Sequence, residues 1–131
     1  MGVDAASVQR WLDAYARAWE TYDPEEIGAL FAEQATYLWH PWDRGSDVAT
    51  GRSQIVEGWL HDRDPAGTYE GRYEPLLVAG DVAIATGTSR YYTDATKAEL
   101  DREYWNLWVL RFDADGLCSE FTEWYMKAPN A

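Results

Sequence analysis

Cysteine is all but missing from this chain: Cys118 is the only one among 131 residues. No disulfide can close within the chain, and no thiolate cluster can gather a metal in it. Positive charge is also scarce. Eleven Lys and Arg face 23 Asp and Glu, for a formal net charge of −12. A phosphate backbone or an anionic membrane surface would be repelled rather than held, so nucleic acid and membrane are excluded as partners. The plain consequence of the acidity is a solvated surface that keeps the protein soluble. No apolar run reaches the ~18 residues of a membrane span, and no N-terminal stretch joins a basic region to an apolar one. The expected location is cytoplasmic. Phosphate-binding glycine loops and nucleophile elbows are missing too.

What is present is a core and a surplus of rings. Hydrophobic residues make up 47% of the chain and charged residues 26%, the balance of one folded domain spanning residues 1–131. Aromatic residues reach 15%, with 8 Trp and 9 Tyr, more than a small core requires. Trp and Tyr join an apolar body to a polar tip, which suits pockets and subunit interfaces alike. Composition does not choose between the two.

The apolar residues Val8, Trp11, Leu12, Tyr15, Trp19 and Tyr22 fall at helical spacing and predict an amphipathic helix. Asp23-Pro24-Glu25-Glu26 then offers a capping acceptor, a first-turn proline and acids at the start of a second helix, with Ile27, Leu30 and Phe31 as its buried face. Ala35 to Trp39 suits a short strand, and residues 40–47 have loop chemistry. Gly51 to His61 predicts a third helix, ended by Asp64-Pro65-Ala66-Gly67. Beyond Thr68 the pattern predicts a four-stranded antiparallel meander: Tyr69 to Val78, Val82 to Tyr92, Glu103 to Phe112 and Leu117 to Met126, with turns at Gly80-Asp81 and Asp115-Gly116.

In the third long strand both alternating sets are apolar: Tyr104, Trp108, Leu110 and Phe112 on one face, Trp105, Leu107 and Val109 on the other. A sheet that packs helices on one face is normally polar on the other. Either the second face meets another copy in a homodimer, or the strand twists so that both faces are buried within one chain.

The order helix, helix, short strand, loop, helix, long meander resembles the nuclear transport factor 2-like superfamily, particularly its SnoaL-like branch. The stretches that carry the resemblance are RWLDAYARAWETYDPEEIGALFAEQATY at 10–37, His40-Pro41, GRSQIVEGW at 51–59 and LRFDADGLCSEFTEWYM at 110–126. They cover almost the whole chain, and each fixes packing or turns rather than chemistry. The resemblance implies an α+β, cone-like roll of the cystatin-like kind, three N-terminal helices packed on a curved antiparallel sheet around a deep pocket. It also implies frequent dimerisation through the outer sheet face. Its members include ketosteroid isomerases, polyketide cyclases, epoxide hydrolases, scytalone dehydratases and proteins without catalysis, so the fold leaves function open.

Within that frame, His40 and Asp43 stand near the place where isomerase relatives put a carboxylate base. His40 is the candidate general base, or else it bonds loop backbone. On the second long strand Thr86, Thr88, Arg90 and Tyr92 share a face, and if that face is concave Arg90 needs an acidic partner. Glu123, sharing parity with Phe121 and Tyr125, is the residue expected to hold Arg90. That pair is either structural or the arginine–carboxylate arrangement that the resemblance to epoxide hydrolases implies. Asn106, in line with Tyr104 and Trp108, must be satisfied if buried. It orients a ligand carbonyl or bonds a neighbour, and Tyr104 is the other candidate polariser. Tyr15, Trp19, Tyr37, Trp39 and Trp59 are the expected pocket walls, joined by Tyr92, Tyr104 and Trp108. The aspartate base of SnoaL-like cyclases aligns with Met126, where the sequence departs from that pattern. His61-Asp62-Arg63-Asp64 reads as a solvated helix end and Asp113 to Gly116 as a hairpin turn rather than metal loops. No metal or organic cofactor is expected. Two functions follow: an enzyme moving a proton on a small apolar or cyclic compound (isomerase, dehydratase or hydrolase), or a non-catalytic ligand-binding or dimerisation protein.

Overall fold

The computed structural model describes residues 2–61 and 63–129. Asp4 opens α1 (Ala5–Thr21): its carboxylate accepts from the Ser7 amide at 2.7 Å while the Ser7 hydroxyl answers the Asp4 amide, which satisfies two of the donors a helix start leaves free. α1 ends at Tyr22, whose φ of 52° turns the chain. Asp23 caps α2 (Pro24–Gly28) through the Glu25 amide. α2 stops before Leu30, and Phe31, expected on its buried face, instead opens β1 (Phe31–Leu38). A short turn and the two-residue β2 (Ala49–Thr50) lead into α3 (Arg52–His61). The long strands follow: β3 (Tyr69–Ala79), β4 (Val82–Tyr92), β5 (Leu100–Phe112) and β6 (Cys118–Lys127).

β3 to β6 form the expected meander, but the sheet is larger and mixed. Its order is β2-β1-β6-β5-β4-β3, with β1 beside β6 and parallel to it. The expectation of an antiparallel sheet is corrected here. Pairing strands some ninety residues apart in sequence has no local signal, because neither turn chemistry nor alternation names a distant neighbour.

The stripe Val8, Trp11, Leu12, Tyr15 and Ala18 on α1 is buried against the inner face of the sheet, where Tyr73, Trp108, Leu110, Phe112 and Phe121 complete the core. Trp11 shows how a ring with a polar tip is housed. Its indole meets Phe31 and Phe112 edge-on at 5.9 and 5.8 Å, and its N–H donates to the Leu30 carbonyl at 2.9 Å.

The inner face of β4 is built from small residues. Ala83, Ala85 and Ser89 are buried and precede Tyr91, while Thr86, Thr88, Arg90 and Tyr92 take the outer parity. The space above them is filled by rings: a β-carbon on Gly87 would stand 2.1 Å from the Arg72 carbonyl oxygen and 2.5 Å from the Tyr73 ring. The face shared by Thr86, Thr88, Arg90 and Tyr92 is thus the outer one, so Arg90 and Tyr92 do not point into the interior. Arg90 bonds Glu103 across the strands at 2.7 Å on the outside. The second face of β5 is not covered within the chain. Trp105 pairs across with Met126, 59% and 77% exposed, and Leu107 with Trp124.

Candidate functional site

Between the inner face of the sheet, α1 and α3 lies a cavity of about 710 Å³. Its walls are mostly rings: Tyr15 and Trp19 from α1, Trp59 from α3, Trp39 after β1, Tyr69 and Tyr73 from β3, Tyr91 from β4, Tyr104 and Trp108 from β5. Trp19 stands 4.6 Å from Trp59 with the planes 73° apart, and 6.3 Å from Trp39 at 60°. Inclined rings leave concave space where parallel stacking would close it.

Glu123 reaches into this space from β6. Its Oε2 accepts from Asn106 Nδ2 at 2.6 Å and from the Trp108 indole N–H at 2.9 Å, leaving Oε1 with no partner among the described residues. Burial pushes this carboxyl above its ordinary range, overcoming the downward pull of the Trp108 and Asn106 donors and of nearby His40.

The Asn106 amide is oriented by a chain of bonds whose direction follows from hydrogen counting. Ser89 Oγ donates to Asn106 Oδ1 at 2.9 Å. Its one hydrogen spent, Ser89 must accept from Tyr73, and Tyr73 in turn accepts from Tyr69. Every donor in the series Tyr69, Tyr73, Ser89, Asn106 points toward Glu123. Burial raises the phenols of Tyr69 and Tyr73 above their ordinary range, so both stay protonated and able to donate at neutral pH.

A second group stands at the rim. Asp43, 6% exposed, accepts from the His40 backbone amide and lies 3.1 Å from His40 Nδ1. An imidazole whose Nδ1 hydrogen faces a carboxylate presents Nε2 as an acceptor, and the Tyr125 hydroxyl is 3.3 Å from Nε2. Further round, Arg102 bonds Asp64 at 2.8 Å and Asp101 at 3.0 Å, and its guanidinium lies 4.1 Å from the centroid of the Tyr91 ring. Among the described residues no three His, Cys, Asp or Glu side chains gather closely enough to hold a metal ion, and no helix is long and apolar enough to cross a membrane.

Of the residues singled out from sequence, His40, Asn106, Glu123, Tyr15, Trp19, Trp39, Trp59, Tyr104 and Trp108 line the cavity. Arg90 and Tyr92 do not, since both stand on the outer parity of β4, and Glu123 holds Asn106 and Trp108 rather than Arg90. Tyr37 is fully buried behind the wall, stacked on Phe121 at 4.2 Å and bonded to the Tyr15 hydroxyl. Met126 points away, on the exposed outer face. Asp62 lies outside the described residues. Asp64, expected in a solvated helix end, is instead bound to Arg102 and Tyr22 in the cavity wall. Sequence reading missed Tyr69, Tyr73, Ser89, Tyr91, Arg102 and Tyr125 as lining residues. The alternation of Tyr69 with Tyr73, and of Ser89 with Tyr91, was the available signal.

A family profile described as SnoaL-like domain matches residues 8–121. No curated protein matches the chain. Among solved structures it is similar to a protein of Kribbella flavida provisionally assigned as a ketosteroid isomerase, at 21% identity and TM-score 0.67 over 98% of this chain and 84% of that one. A Catenulispora acidiphila protein described as having a ketosteroid isomerase-like fold, in complex with trimethylamine, is 20% identical with TM-score 0.64 over 88% and 84%. A Mycobacterium tuberculosis epoxide hydrolase described as LEH-like is 12% identical with TM-score 0.64 over 93% and 84%. At these identities the likeness establishes a shared nuclear transport factor 2-like fold.

Proposed function

Because this chain belongs to the SnoaL-like domain family, in which one fold serves many chemistries, we propose from its own residues that the cavity performs cofactor-independent proton transfer on a small, largely apolar, ring-bearing compound, with Glu123 as the proton acceptor. The observation that carries this reading is the division of labour within one carboxylate. Oε2 is fixed by two N–H donors and Oε1 is left to the cavity, in surroundings that raise its affinity for a proton. A carboxylate tuned upward by burial works as a base or acid nearer neutral pH than one in water.

In this reading the aromatic walls hold the substrate by apolar contact, Glu123 Oε1 takes a proton from a C–H beside a carbonyl, and the electron pair moves onto the carbonyl oxygen. Tyr125, whose phenol is raised by burial and stays protonated, turns its one hydrogen from His40 Nε2 to that oxygen, while Asp43 holds the imidazole in place beside it. The proton returns from Glu123 at another carbon, completing an isomerisation. The same pair supports dehydration, in which the β-hydroxyl leaves as water with the proton that Glu123 has taken as the electron pair returns from the carbonyl oxygen to form the C=C bond. His40 thus becomes a positioning residue and Glu123 the base, the reverse of the roles expected from sequence.

The test is deuterium incorporation from D2O into a panel of cyclic ketones, followed by mass spectrometry. The reading expects exchange with the native chain and a loss of roughly 10²–10⁴-fold in Glu123→Gln. Exchange unaffected by that substitution rejects the role of Glu123, and tight binding without exchange moves the protein to the non-catalytic class. The exposed Trp105, Leu107, Trp124 and Met126 further support a homodimer joined through the outer face of β5 and β6.

A further inference from the structure

The cavity brings carboxylates and aromatic rings together, and among the described residues Glu123 forms no ion pair. Glu123 is bonded only to neutral N–H donors. A mostly buried carboxylate in that state needs a proton or a cation. Two other charged groups line the space. Arg102 is one, already bonded to both Asp64 and Asp101, and Asp64 is the other. Among the described residues, two carboxylates, Asp64 and Glu123, and one guanidinium, Arg102, line the space.

The rings point to the same chemistry. Trp19 lies within 6.4 Å of Trp59, Trp39 and Tyr69 with planes inclined by 73°, 60° and 63°, and Tyr69 continues to Tyr91 at 5.4 Å and 47°. All five rings border the cavity, and several aromatic rings bordering one space suit a cation without hydrogen-bond needs of its own. The wall contains an internal instance: the Arg102 guanidinium rests on the Tyr91 ring. The net charge of −12 raises the local concentration of cations around the mouth.

We propose that the ligand of this cavity carries a small alkylammonium group, seated among Trp19, Trp39, Trp59, Tyr69 and Tyr91 and balanced by Glu123. The proposal rests on the preceding reading in taking this cavity as the ligand site. It narrows the substrate class from an apolar ring-bearing compound to one bearing a protonated or quaternary amine, and it is tested by binding alone.

The probes are choline and its neutral isostere 3,3-dimethylbutan-1-ol, titrated calorimetrically into the unmodified chain. The pair has one shape and differs in charge. Choline should bind at least about tenfold more tightly, and Glu123→Gln should lower choline affinity by about tenfold while leaving the alcohol unchanged. Equal or tighter binding of the alcohol, no measurable binding of either up to millimolar concentration, or a preference for choline undiminished in Glu123→Gln, would each overturn the proposal. Should Glu123→Gln fail to fold, Trp19→Leu serves instead: the preference for choline should shrink, and an unchanged preference counts against the cage. Loss of proton exchange in Glu123→Gln combined with equal binding of the two probes would sink the ammonium and leave the proton-transfer reading standing. The opposite pattern would do the reverse.

Discussion

Glu123 is a carboxylate whose stability and chemistry pull in opposite directions. Folding raises its affinity for a proton, so the stability it contributes is present below the ordinary carboxylate value and is lost as pH rises through the interval up to its raised value. Gln at this position keeps an oxygen for the Asn106 and Trp108 donors and removes the buried charge. Glu123→Gln should therefore unfold no more easily than the native chain at alkaline pH, with a flatter dependence of melting temperature on pH above the ordinary carboxylate range; a steeper dependence would contradict the burial of a charge. Asp43 is a nearly buried carboxylate serving two donors of His40. Asn would set an N–H against one of them, and Asp43→Asn should cost about 1–3 kcal/mol, read as a fall in urea midpoint at constant slope. At this scale the sequence was half legible. Asn106 and Glu123 stand out as polar residues inside aromatic strands and His40 just beyond one, but their partners depend on strand register, which no single residue reports.

β4 shows how one choice of face decides such partners. Its alternation is clear in sequence, yet both sets mix small and polar residues, and Arg90 drew attention to the outer one. In the inner set, Ala83, Ala85, Gly87 and Ser89, it is Gly87 that must be small, because the Tyr73 ring and the Arg72 carbonyl lie against it. Smallness beneath a ring is a packing signal visible only once the neighbouring strand is known. Gly87→Ala should push Tyr73 aside, cost about 1–3 kcal/mol and break the bonds that orient Asn106. Thermal melts would show the first effect and the deuterium-exchange assay the second; a variant as stable and active as the native chain would contradict the close packing. The helices were easier to read, since α1 carries its stripe and α2 its Asp-Pro start in a local pattern. The parallel pairing of β1 with β6 was out of reach because the strands meet across nearly the full chain.

At the scale of the whole molecule the surplus of rings divides between an inner cavity and an uncovered outer face. Trp105, Leu107, Trp124 and Met126 give that face a patch of the kind monomeric proteins seldom leave to water. Light scattering should return about twice the chain mass of 15.0 kDa, and Leu107→Asp should return the single-chain mass. A native chain already at 15.0 kDa would contradict the interface. The function proposed for the inner cavity requires a largely buried Glu123 that still exchanges protons with the cavity's contents. That property is open to direct observation by carbon-13 NMR of side-chain-labelled glutamate across a pH titration, with Glu123→Gln to assign the resonance. The Glu123 carboxyl should titrate clearly above the exposed glutamates, whereas titration with or below them would show a carboxylate already stabilised in its charged form and unfit for the proton transfer assigned to it.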